Sequence, residues 1–105
     1  MSEEEKQITE VVNIIAKDFN ISNIQAPAVK DRNLQQVKDL LSLKIEELLN
    51  NDFDRLLNIL YQIDIKEDKA HLAIHNRSAK EAAKELAELV LERQLEKVIS
   101  RQLYK

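Results

Sequence analysis

The chain contains no cysteine, no glycine and no tryptophan, and only one proline in 105 residues. Without cysteine there are no disulfides, no thiolate metal sites and no cysteine nucleophile. Without glycine, the phosphate-cradling loops, dinucleotide-binding turns and nucleophile elbows that need close backbone approach have no residue to build on. Asn-Gly hairpins and glycine bulges are excluded for the same reason. There is also no apolar leader and no apolar run long enough to span a bilayer, so a cytoplasmic chain with no membrane association is expected. Nothing in the composition calls for a cofactor.

What is abundant points to helix. Leu, Ile and Val number 15, 11 and 6, well above the level at which chains stay disordered for want of apolar surface to bury. Leu, Glu, Lys, Gln and Ala, all good helix formers, dominate the rest. The length suits one domain with one core. The expected fold is all-α: residues 1–105 form a single compact bundle of about five helices with a long C-terminal helix.

Five capping signals mark the helix starts, each a short polar side chain able to accept from a free N–H. They are Ser2 with Glu5, Asn33 with Gln36, Asn51 or Asp52 ahead of Phe53, Asp64 with Glu67, and Ser78 with Glu81. The first helix, over residues 3–18, stacks Ile8, Val11, Val12, Ile15 and Phe19 on one face. Residues 20–32 hold the only proline, Pro27, and read as the one linker, with the remaining helices in 33–105. The second helix, over 34–49, gathers Leu34, Val37, Leu41, Ile45, Leu48 and Leu49 and leaves Leu43 outside. In the third, Phe53, Leu56, Leu57, Leu60 and Ile63 are expected to be core, with Asp52 and Asp54 favourably placed in the first turn. A polar row of Asp54, Asn58 and Tyr61 or Gln62 reads as a solvated face, with Tyr61 at the rim.

The fourth helix, over about 65–75, holds the constellation nearest to chemistry. His71 and His75 are four apart and share a face with Glu67 and Asp68, and this spacing lets two imidazoles meet one zinc or nickel ion. No motif supplies a further ligand, although Glu46 or Glu47 could do so in three dimensions. The competing reading is a pair of surface histidines near a helix C-terminus.

Residues 79–105 lack glycine and proline and predict one long helix. Ala79, Ala82, Ala83, Leu86, Leu89 and Val90 form one stripe. After Val90 that stripe continues as Arg93, Lys97 and Arg101, while Leu91, Leu95, Val98, Ile99 and Leu103 form a second stripe turned by roughly 150°. The second stripe suggests an interface, and a two-fold dimer is the expected assembly. The alternative is a central helix, or one broken near Arg93, with the first helix covering the second stripe. Residues 77–105 carry seven bases among five acids, too interleaved for the concentrated patch that nucleic-acid binding needs.

The segments "DFDRLLNILYQIDI" and "LAELVLERQLEKVISRQLYK" together resemble a group of small, uncharacterised bacterial all-helical proteins. The similarity covers roughly residues 43–105 and rests on the acid-aromatic-x-x-Leu-Leu helix, the Ile-Asp pair before a short charged helix, and Glu92-Arg93-Gln94-Leu95. It implies a recurring C-terminal unit and brings no activity with it. The functional expectation is a non-enzymatic interaction or regulatory module that self-associates through its last helix. The alternative is a metal-binding protein or metal-dependent enzyme using Glu67, Asp68, His71 and His75.

Overall fold

The computed structural model describes residues 3–21 and 34–103. Among these residues there are five helices and no strand: α1 (Glu3–Asp18), α2 (Leu34–Asn51), α3 (Phe53–Ile63), α4 (Glu67–Ile74) and α5 (Ala79–Leu103). The expected all-α class and the long last helix are both present. The linker, apart from residues 20 and 21, lies outside the described residues, and so do Pro27, Ser2 and Asn33 of two capping pairs.

The 25 residues of α5 span about 37 Å at 1.5 Å per residue, close to the 41 Å long dimension of the molecule. The helix is unbroken through Arg93 and touches all four others, α2 and then α1 most extensively. The change of apolar face is thereby explained. In the first half Ala82, Ala83, Leu86, Ala87 and Val90 are buried. In the second half α1 runs antiparallel alongside and takes over the other side, with Asp18 bonded to Gln94 and Glu10 bridged to Arg101. Leu91 packs with Val12 and Val37, where α1, α2 and α5 meet. Val98, expected at an interface, is fully buried within the chain. Gln94 is the one buried polar side chain among the described residues, and its Nε2 donates to Asp18 Oδ2 at 3.0 Å. This bond pins the register of α1 against α5, because sliding either helix would leave a buried amide unpaired.

With no glycine, the turns that need a positive φ fall to Asn and Asp, whose short side chains tolerate the left-handed region best. Asn20, Asp64 and Asn76 hold φ values of 55°, 70° and 57°. After α1, the Ile21 and Asn20 N–H groups donate to Ala16 and Lys17. After α3, Ile65 and Asp64 donate to Leu60 and Tyr61 in the same way. This double reach-back satisfies carbonyls that a helix end otherwise leaves open. Asp64, expected both to end the third helix and to begin the fourth, does only the first: held in the left-handed turn it ends α3, and α4 begins at Glu67 after Lys66, which makes no side-chain capping bond. The other two described caps form as the sequence indicates, Asp52 accepting from Arg55 N–H and Ser78 Oγ from Glu81 N–H.

Burial on α3 departs from expectation at one edge. Leu56, Ile59, Leu60 and Ile63 are buried, whereas Phe53 and Leu57, both expected in the core, are exposed. Turning each residue by about 100°, the apolar arc of α3 is some 200° wide, and its neighbours cover only the half centred between Leu56 and Ile63.

Two stability outcomes follow. Leu86→Ala should cost about 2 to 5 kcal/mol in urea unfolding, while Leu43→Ala and Leu72→Ala, both on exposed leucines, should stay within about 0.5 kcal/mol. Asn76→Val should cost about 1 to 2 kcal/mol by forcing a branched side chain into the left-handed region, and Asn76→Gly should be tolerated. Equal melting of the valine and glycine variants would contradict the turn assignment.

Candidate interaction site

Among the described residues two sets of apolar side chains remain uncovered. The larger lies on α3, where Phe53, Leu57 and Tyr61 recur every four residues and share one side of the helix. They are 41%, 38% and 75% exposed. The row adjoins a cleft of about 240 Å³ between the end of α3 and α4, lined by Leu57, Leu60, Tyr61, Ile65 and Ala70 with Asp64, Lys66 and Glu67. Two of the chain's four aromatic residues therefore stand on this one edge. The signal is present in the sequence, since six apolar positions and a Tyr within eleven residues exceed what one buried face of a short helix accommodates. Spacing alone does not show how far the neighbouring helices reach, which is why Phe53 and Leu57 read as core.

The second set lies at the end of α5. Of the five expected interface residues, Ile99 and Leu103 are exposed, Leu91 and Leu95 are half-buried against the core, and Val98 is enclosed. Leu43 and Leu72 stand as isolated exposed leucines on α2 and α4.

The Arg93, Lys97 and Arg101 row lines an open groove with Glu96 and Ser100. Acids neutralise most of it. Arg93 donates to Asp64 Oδ2 at 3.0 Å and to Glu96 Oε2 at 3.2 Å, and Arg101 pairs with Glu10 at 3.1 Å. Lys97 is the member of the row with no ion pair among the described residues. The Arg93 stem lies against the protein, with its Nε buried and unbonded, beside a cleft of about 280 Å³ in which Lys66 and Lys69 face Asp64, Glu92 and Glu96. Equal numbers of opposite charges line that cleft, which leaves it no preference for an anion or a cation.

The structure brings the two histidines of the constellation together. The imidazoles of His71 and His75 stack, with centroids 5.3 Å apart and planes 24° from parallel. Glu67 and Asp68 do not join them: among the described residues no group of three or more His, Asp or Glu side chains could hold a metal ion. The helix ends at Ile74, yet the His75 N–H still donates to the His71 carbonyl one turn back, which keeps the two imidazoles side by side. Glu67 and Asp68 instead occupy the first turn, where carboxylates meet the positive end of the helix dipole.

Comparison with family models, with curated proteins and with solved structures finds no match for this chain. Function is therefore argued from these surfaces alone. Among the described residues no helix is long and apolar enough to cross a membrane.

If the histidines only stack, adding zinc should leave the melting temperature of the chain unchanged, and His71→Ala should not alter that result. A rise of several degrees with zinc that disappears in His71→Ala would restore the metal reading.

Proposed function

We propose that this chain is a non-enzymatic helical interaction module that self-associates through the C-terminal end of α5. A cytoplasmic setting belongs to the same proposal. The supporting observation is the exposure of Ile99 and Leu103 on the last turns of a helix whose earlier apolar stripe, Ala82, Ala83, Leu86 and Val90, is buried. With the half-buried Leu95 they form a row at four-residue spacing, about 12 Å long at 1.5 Å per residue. Such a row is small against the roughly 800 Å² per partner of a stable interface. A two-fold axis brings the same row in from both copies and doubles the apolar area removed from water. Val98 takes no part, being covered by its own chain, and Leu91 and Leu95 contribute only their outer edges.

Sedimentation at high micromolar concentration tests this. The native chain is expected to sediment as a dimer that dissociates on dilution. Ile99→Glu and Leu103→Glu, which place carboxylates on exposed positions and leave the core intact, are each expected to give monomer. A native chain that stays monomeric throughout would end the proposal, as would a dimer indifferent to both substitutions.

A further inference from the structure

The exposed edge of α3 has a chemistry different from that of the α5 end. Its apolar row, Phe53, Leu57 and Tyr61, runs about 12 Å along two turns and opens into the cleft over Leu60, Ile65 and Ala70. Around it the charges are largely of one sign. Asp52 caps the N-terminal end, Asp54 lies about 60° from Leu57 on the solvent side, and at the cleft Glu67 stands with the base Lys66, while Asp64 is already paired with Arg93. Arg55 lies on the opposite side of the helix, about 160° from Leu57. The combination is an apolar, partly aromatic groove with an acidic rim.

We infer that this edge is a docking groove for a basic amphipathic helix of another protein. An amphipathic helix presents anchors at positions i, i+4 and i+7, spaced over about 11 Å, which matches the length of the row. This is the helix-in-groove mode of recognition, with one anchor entering the cleft between α3 and α4. Lysines or arginines flanking the anchors meet the carboxylates of the rim and can lie over the exposed rings of Phe53 and Tyr61. The charge pattern favours a foreign partner over a second copy. Two α3 edges brought face to face would oppose acidic rims. The groove is thus separate from the self-association proposed for α5.

The test is a titration of the full chain with a synthetic helix of about 18 residues, long enough to hold helical structure alone. It carries leucines at i, i+4 and i+7 and lysines on both flanks. A twin with glutamates in place of the lysines and a scramble of the basic sequence serve as controls. Saturable one-to-one binding of the basic helix is expected, roughly ten-fold or more tighter than either control, weakening with added salt. Leu57→Glu and Tyr61→Glu, both at exposed positions, should each remove that preference without changing the circular dichroism. Asp54→Lys should weaken the basic helix and strengthen the acidic twin. Leu103→Glu should leave peptide binding intact while acting on sedimentation, so each proposal can fail without the other. Equal binding of the scramble would mean unspecific charge attraction and would overturn the inference, as would undiminished binding by Leu57→Glu. A dimer lost in Leu57→Glu would give the groove to a second copy and overturn it equally.

Discussion

The architecture depends on one constraint: α5 carries apolar side chains on opposite sides of its two halves, and a rod about 37 Å long can hide both only by running through the middle of the molecule. Each of the other four helices packs on it. Leu86, Val90 and Val98 join one buried cluster, and Leu91 also packs on Val12 and Val37. The alanines at 82, 83 and 87 let other helices approach closely in the first half. In the second half the spacing is set by a polar contact, Gln94 to Asp18, which costs desolvation unless α1 sits in a single register. Burial supplies the driving force, and this one amide supplies specificity.

Enclosing a single long helix with four shorter ones leaves a deficit of covering surface. α3 has eleven residues and α4 only eight, and the connection between them is a left-handed turn at Asp64 followed by Ile65 and Lys66. That turn lets Ile65 cover the end of α3 but does not bring α4 across the outer edge, where Phe53, Leu57 and Tyr61 stay in water. On the last turns of α5 one side is covered, with Val98 buried and Arg101 bridged to Glu10 of α1, and the side carrying Ile99 and Leu103 is not. Both surfaces on which the functional reading rests are therefore places where short helices fail to reach. Scattered exposed apolar residues are ordinary on a soluble chain. Three at four-residue spacing, contiguous with a cleft and rimmed by acid, are a recognition surface.

Charge shapes the surface more than the stability. The ion pairs Arg93–Asp64, Arg93–Glu96, Arg101–Glu10 and Arg77–Glu85 are partly or well exposed, and each contributes at most about 1 kcal/mol. Their larger effect is to quench the basic row of α5. The Arg93 pair quenches Asp64 as well, so the acids beside the α3 row with no ion pair among the described residues are Asp52, Asp54 and Glu67.

The sequence by itself determined the helices, since local rules suffice where a side chain acts on its own turn. The absence of glycine, the caps at Asp52 and Ser78 and the three-and-four spacing of apolar residues located α1, α3 and α5 to within a residue or so. The same rules picked out the buried rows of α1 and α2 from Val11 to Phe19 and from Val37 to Leu48. They misplace the start of α4, because Asp64 ends α3 in a left-handed turn and the next helix begins only at Glu67. Only the tertiary structure decided that Val98 is covered while Ile99 is not, and that Leu60 is core while Leu57 is surface. These residues are equally apolar and adjacent or nearly so in sequence. What separates them is the distance to another helix, which periodicity along one helix does not contain.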